Sequence, residues 1–430
     1  MLNRVTRIAC GLTGLALLVA APVQAQEPCC RSAGLELAER YRVEGLDERR
    51  FTHAEYWGAL AGALRSDRIQ VTRLGESVEG RAINAVTAGS GPTTVLLWSQ
   101  MHGNESAATM SLADMIHWFG TAPESDSLRA DLAERLTVVM IPMLNPDGAE
   151  RFIRENAIGV DINRDARRTA TPEGRILKSI RDSLQADFGF NLHDQGTHTV
   201  GDYGPLVAIA LLAPAADEER SWGPVRQRAR GVAAAIATAL GHDLGARMAR
   251  YDDAFSPRAF GDNMQAWGTS TVLIESGILP DDPQKQELRR LNIVALLSAF
   301  ETIAHGRYED DDTAAYDSLP MNREVDYSLL VLGGELVLKG ATPIRADIAI
   351  HYDDSAARTG PRYGEIGDLE GVVALDTLDA SGLFIHAEPG EGGLIRRGAP
   401  IAITVRQGPD PESELAWALG TDGPEPTIRP

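Results

Sequence analysis

Cysteine is scarce in this chain of 430 residues: three in all, Cys10, Cys29 and Cys30. Two of them are adjacent, and adjacent cysteines cannot staple distant parts of a fold. The core is therefore expected to hold without disulfides. Long apolar runs are equally scarce. The one that stands out, residues 8–21, follows Arg4 and Arg7 and precedes the small-residue stretch VQA at 23–25. That is the pattern of a secretory signal peptide cleaved after Ala25, too short and too lightly flanked for a permanent membrane span. The expectation is an exported protein, periplasmic or secreted, with no stable membrane span after cleavage. Basic charge is the third shortage: 41 Lys and Arg face 61 Asp and Glu, a net charge of −20. Such a balance argues against nucleic acid or anionic membrane as a partner. No repeat of fixed period is visible, and nothing marks an oligomeric state.

What is present is an ordinary globular composition, 43% hydrophobic and 24% charged, in a chain longer than one core usually supports. After a charged lead-in (26–50), expected to be flexible or helical, the segment 53–64 has apolar residues at helical spacing. Strands follow at 69–77, 81–89 and 93–99. Helix and strand then alternate: helix 106–119, strand 136–142, helix 173–187, strand 188–192, helix 222–240, strand 269–275, helix 285–304. Alternation of this kind predicts an α/β fold with a mixed, largely parallel sheet and helices on both faces. Residues 306–320 are acidic and apolar-poor and read as a linker. Short β-type runs from 321 to 410, split by Gly, Pro and Asp, predict a small all-β domain, and 411–430 reads as a loose tail.

Within the α/β part (51–305), apolar strands end abruptly in chemistry-bearing side chains. VLLWS (95–99) leads into His102 and Glu105, FGFNL (188–192) into His193, and TVLI (271–274) into Glu275. Open α/β sheets place their ligands at the carboxyl ends of strands. Two imidazoles and one carboxylate suit a zinc ion with an open position, leaving Glu275 free as a general base. Alone, His-x-x-Glu is a weak pattern and His193 could be a satisfied core histidine. A carboxylate closing a buried strand needs a partner and is harder to dismiss.

HGNE (102–105), NPDG (145–148), RENAIGVDINRD (154–165), NLHD (191–194) and TVLIESG (271–277) resemble, in order and spacing, the motifs of the zinc carboxypeptidase family. GESVEGRAI (75–83) is similar to the segment those enzymes carry before the first metal motif. The resemblance spans roughly residues 50–304. It implies one zinc per chain held by His102, Glu105 and His193, with Glu275 as base and proton shuttle. It implies further that Arg154 stabilises the oxyanion and that Asn163 and Arg164 bind the free C-terminal carboxylate of a peptide substrate. Asp161 would orient His102. A fork of N–H donors suits bidentate carboxylate recognition, and a second carboxylate behind a ligating histidine fixes its tautomer. Outside this setting, DINRDARR would read as a solvated charged loop.

The pattern is incomplete in places. The family's mobile tyrosine corresponds most nearly to Tyr251, although Phe255 sits in the same segment. His198 is expected to be exposed and His117 structural, and NRDA departs from the ending found in animal digestive members. The β-rich region carries no metal motif, so catalysis is expected to survive its removal near residue 310. Two other readings stand beside the carboxypeptidase: a deacylase or amidase on the same scaffold, cell-wall peptides included, and a non-catalytic binding module.

Overall fold

The computed structural model of the protein describes residues 29–202, 204–310, 312–338, 341–387 and 395–420. The leader read at 1–25 and the last ten residues of the tail lie outside the described residues. In chain order the first part contains α1 (Cys29–Arg40), α2 (His53–Leu60), β1 (Ile69–Glu76), β2 (Ala82–Ala88) and β3 (Thr93–Ser99). Next come α3 (Ala107–Thr121), α4 (Ser127–Arg135), β4 (Leu136–Ile141), α5 (Pro146–Arg151), α6 (Pro172–Leu184) and β5 (Phe188–Asp194). Then follow β6 (His198–Val200), β7 (Ile209–Leu212), α7 (Pro224–Leu244), β8 (Met248–Arg250), α8 (Phe260–Ala266), β9 (Ser270–Ser276) and α9 (Gln286–Ala304).

Eight of these strands form one sheet in the order β1-β2-β4-β3-β5-β9-β7-β8, and its centre, β4-β3-β5-β9, is parallel throughout. The central strands are apolar at nearly every position because both faces are covered. Their alternation nevertheless sorts them. Val95 and Leu97 of β3 join a core made with α1, α3, α7 and α9, whereas Leu96 and Trp98 join a second core with Leu177 of α6 and with Phe260 and Met264 of α8. The mixed α/β sheet with helices on both faces is thus the observed architecture.

Two segments outside the central sheet are firmly packed. The lead-in is tied down: the buried Arg289 guanidinium donates to Asp114 at 2.7 Å through Nε and to the Leu46 and Val43 carbonyls at 2.7 and 3.0 Å. Cys29 and Cys30 open helix α1, the helical alternative expected for this lead-in. The stretch 306–320 is packed rather than free. Its short helix α10 (Ala314–Asp317) buries Tyr316 in the main core, where the phenol accepts a hydrogen bond from Ala213 N–H at 3.1 Å. Tyr308, Ala315 and Leu319 pack against the same core, and Arg230 donates to Asp317 at 2.9 Å. The helix expected over 53–64 stops at Leu60, where a 3₁₀ turn (Ala63–Arg65) takes over.

The remaining strands are β10 (Asn322–Glu324), β11 (Tyr327–Leu332), β12 (Glu335–Val337), β13 (Ile344–Arg345), β14 (Asp347–Asp354) and β15 (Thr359–Gly367). They continue with β16 (Ala374–Asp379), β17 (Phe384–Ala387), β18 (Ile403–Arg406) and β19 (Leu415–Leu419). Two sheets, β15-β14-β11-β16 and β13-β12-β17-β18-β19, enclose a core of Val331, Ile348, Ile350, Ile385, Val405 and Trp417. The tail read from 411 onwards therefore begins as an edge strand, with Trp417 packed inward. Strand β10 leaves this unit altogether and pairs with β6 of the α/β part.

Candidate metal centre

The turn after β3 is shaped by its neighbours before any ligand is considered. A Cβ on Gly103 would sit 2.0 Å from the Gly148 carbonyl carbon, so only glycine lets the two loops touch. Asn145 caps α5 through its side-chain oxygen, accepting from Gly148 N–H at 2.9 Å, while its amide donates to the Met101 and Glu155 carbonyls, each at 3.2 Å. Buried Asp147 accepts from the Ser77 hydroxyl and Arg81 at 2.7 Å and from Glu79 N–H at 3.0 Å. NPDG and GESVEGR are therefore one scaffold, and it fixes the loop that presents His102.

Beyond that loop the candidate ligand atoms converge. His102 Nδ1 lies 2.7 Å from one Glu105 oxygen, and His193 Nδ1 lies 2.7 Å from the other. The two Nδ1 atoms face each other at 3.2 Å, and all three side chains are buried. This is the single group of metal-capable side chains among the described residues. Two imidazole nitrogens and a carboxylate aimed at one point fit zinc, whose catalytic sites take three such donors and keep a place open. Burial opposes charge on Glu105, yet the attraction of His102 and His193 outweighs it and holds its carboxyl well below the usual range. Burial likewise disfavours a charged His102, but Glu105 and Asp161 push its pKa up to about 9. Burial, helped by the His102 and Arg154 charges, keeps His193 low against the pull of Glu105.

Around the cluster, Asp161 Oδ1 sits 3.0 Å from His102 Nε2, leaving Nδ1 turned to the centre. Burial works against its charge, but His102 and Arg154 hold its carboxyl below the ordinary range. The Arg154 guanidinium grips Asp161 at 3.1 and 3.0 Å and reaches Glu105 at 3.1 Å. Glu275 pairs in register with His193 across β5 and β9, and its Oε2 has no hydrogen-bond partner. Burial and the Glu105 charge hold Glu275 well above its usual value, against His102.

The residues assigned to the substrate's carboxylate are arranged less simply. Asn163 receives the Phe260 N–H at 2.8 Å and places its amide nitrogen 3.4 Å from His193 Nε2. Arg164 is exposed and donates to the Asn163 carbonyl at 2.8 Å. Tyr251 lines the same cavity and Phe255 does not. Burial and Glu275 push the Tyr251 phenol up to about 12, and its ring lies 6.1 Å from that of His198. His198, expected to be exposed, is half-buried on the cavity wall, whereas His117 faces the Tyr41 carbonyl at 2.9 Å in the helical layer.

Sequence reasoning missed a buried ion pair behind His193. Lys285 Nζ lies 3.1 Å from Asp194 and also donates to the Ser276 carbonyl at 3.1 Å. Asp194 N–H in turn donates to Glu105 at 3.2 Å, so this pair backs the candidate metal cluster. The aspartate was visible in NLHD, but no local pattern marks a lysine 91 positions later in the loop before α9.

Residues 55–198 match the family model described as zinc carboxypeptidase, which shows the resemblance carried by the motifs. The match takes in every candidate residue except Tyr251 and Glu275. Among curated relatives, an uncharacterised protein of Zymomonas mobilis is 29% identical over 124 residues, 28% of this chain and 32% of that protein. Carboxypeptidase 2 of Trichophyton tonsurans is 29% identical over 122 residues, covering 28% of this chain and 22% of the relative. The chain thus spans a third or less of these relatives' length. Among solved structures it is similar to a metallo-carboxypeptidase from Burkholderia cenocepacia, at 18% identity and a TM-score of 0.48 over 60% of this chain and 70% of that one.

Proposed function

We propose that the protein is an exported zinc metallocarboxypeptidase that removes the C-terminal residue of peptides. The observation that carries this reading is the convergence of His102 Nδ1, His193 Nδ1 and both Glu105 oxygens beside a Glu275 carboxylate with an unpartnered oxygen. In it, His102, Glu105 and His193 hold one zinc ion per chain. Bound there, zinc supplies Lewis-acid polarisation and an acidified water.

The chain's own residues do the rest. Asp161 holds His102 by its Nε2 and keeps Nδ1 directed inward. Glu275 takes the proton from the attacking water at its free Oε2 and returns it to the departing amine. Arg154 supplies positive charge beside the developing oxyanion, a contribution worth about 3 kcal/mol where such donors have been removed. Arg164 and Asn163 bind the terminal carboxylate, and Tyr251 lines the pocket of the departing residue. Export rests on the arginine-led apolar run at 8–21; no described helix is long and apolar enough to cross a membrane.

A second reading, a deacylase or amidase, is favoured by one observation: Arg164, though it lines the cavity, is exposed and donates to the carbonyl of its own loop. Mass spectrometry of an unmodified peptide incubated with the protein separates the two. Stepwise loss of residues from the C-terminus, stopped by a chelator and restored by zinc, is the carboxypeptidase outcome. Release of an acyl group from a small amine, with peptides left whole, would replace it.

A further inference from the structure

The cavity over the candidate metal centre has a volume of about 720 Å³, and its lining is not confined to the α/β part. Glu324 from β10 and Asp353, Asp354 and Thr359 from the β14–β15 hairpin face the same space as His102 and Glu275. The β domain and the strand that leads into it thus reach the cavity at two separate places.

Both places are fastened close to the ligands. At the first, β10 pairs antiparallel with β6, Glu324 opposite His198. Asn322 donates to the Gln195 side chain at 3.0 Å and Val325 N–H to the Thr197 carbonyl at 3.0 Å, so the seam starts two residues after His193. At the second, Asp354 forms an ion pair with Arg49. Arg49 lies over the Phe152 ring at 5.3 Å, its N–H donates to Gln284 at 3.0 Å, and its carbonyl accepts from Ser106, the residue after Glu105. A unit held at two separate points beside the cavity does not swing aside freely.

We propose that the C-terminal β domain is an outer wall of the substrate cavity and limits the enzyme to short substrates, with no more than two residues ahead of the scissile bond. This rests on the carboxypeptidase reading and names its substrate class. A carboxypeptidase takes the last residue inward, so the rest of a peptide must leave through the mouth. Cavities of about 300–1,000 Å³ hold one drug-sized ligand, the scale of a dipeptide or tripeptide. A longer chain must displace the hairpin, and the Arg49–Asp354 pair resists that.

The test compares a tripeptide with a decapeptide ending in the same three residues. In the wild type, kcat/KM for the tripeptide should exceed that for the decapeptide by roughly 30-fold or more, the scale of a few lost contacts. Asp354→Lys, which repels Arg49, should raise the decapeptide value about tenfold and leave the tripeptide within about threefold. The exchange Arg49→Asp with Asp354→Arg should restore the discrimination. Calorimetry on Glu275→Gln protein reads the same preference as affinity, without turnover. Equal handling of both peptides by the wild type, in cleavage and in binding, overturns the wall alone. If neither peptide is bound or cut, the carboxypeptidase reading falls and the wall falls with it.

Discussion

The α/β part and the β domain border the same cavity but are built on opposite terms. In the first, ionisable groups are buried and bound to one another: Glu105 with two histidines, Asp194 with Lys285, Asp114 with Arg289. In the second, the core is apolar and charged groups stay at the surface, where Arg362 meets Asp353 and Asp379 accepts from Ser381. Burial makes charge consequential, because a lost partner is not replaced by water. The difference assigns reactivity and its pH dependence to the α/β part and leaves the β domain shape alone.

The strongest challenge to that division is to neutralise the free carboxylate. Glu275→Gln keeps the volume but cannot accept a proton, so turnover should fall about 10³- to 10⁴-fold while bound zinc, read by elemental analysis, stays near one per chain. Undiminished turnover would remove Glu275 from the mechanism. Arg289→Ala should cost about 3–5 kcal/mol, because it strands Asp114 without its cation. Denaturant unfolding measures it, and a loss under about 1 kcal/mol would mean water reaches the site.

A slightly smaller effect probes the seam between the two regions. Tyr316→Ala should destabilise by about 3 kcal/mol through the cavity it leaves, and Tyr316→Phe by only about 1 kcal/mol for the lost hydrogen bond to Ala213. A chain cut near residue 310 loses Tyr316, the Arg230–Asp317 pair and the β10 seam together. It should therefore be less stable than a simple removable appendage would allow.

A comparably small effect is a pH dependence. Burial, opposed by Ser256 N–H and by Arg164, pushes Asp262 up to about 6 from an ordinary 3.8. The folded chain therefore holds this proton more tightly than the unfolded one. The resulting stability is full below the unfolded value and is lost as pH rises through about 6. Asp262→Asn should flatten that decline by about 1–2 kcal/mol between roughly pH 4 and 6. An unchanged slope would place the titration elsewhere.

How much of this was legible depends on what each residue needs from its neighbours. The central strands were, because a sheet buried on both faces demands unbroken apolar runs. The meeting of His102, Glu105 and His193 was, because each closes or follows an apolar strand whose carboxyl end faces the same side of the sheet. Helix α4 (SLRADLAER) was not, since only Leu132 and Arg129 are buried and the apolar period is faint. Helix α5 left a usable sign, an asparagine cap followed by proline, that was read only as a motif. The wall left none: Asp353, Asp354 and Thr359 gain their place from tertiary packing, and any surface hairpin could carry them.

Paired kinetics on one tripeptide, as free acid and as C-terminal amide, tests the central claim most directly. Amidation removes the charge that Arg164 is assigned to meet, and an exposed charge-assisted hydrogen bond is worth about 1.5–3 kcal/mol, or roughly 10- to 150-fold in kcat/KM. The account predicts that preference in the wild type, its loss in Arg164→Ala, and unchanged zinc in both. Equal rates on acid and amide in the wild type would contradict it and leave the deacylase or amidase reading in its place.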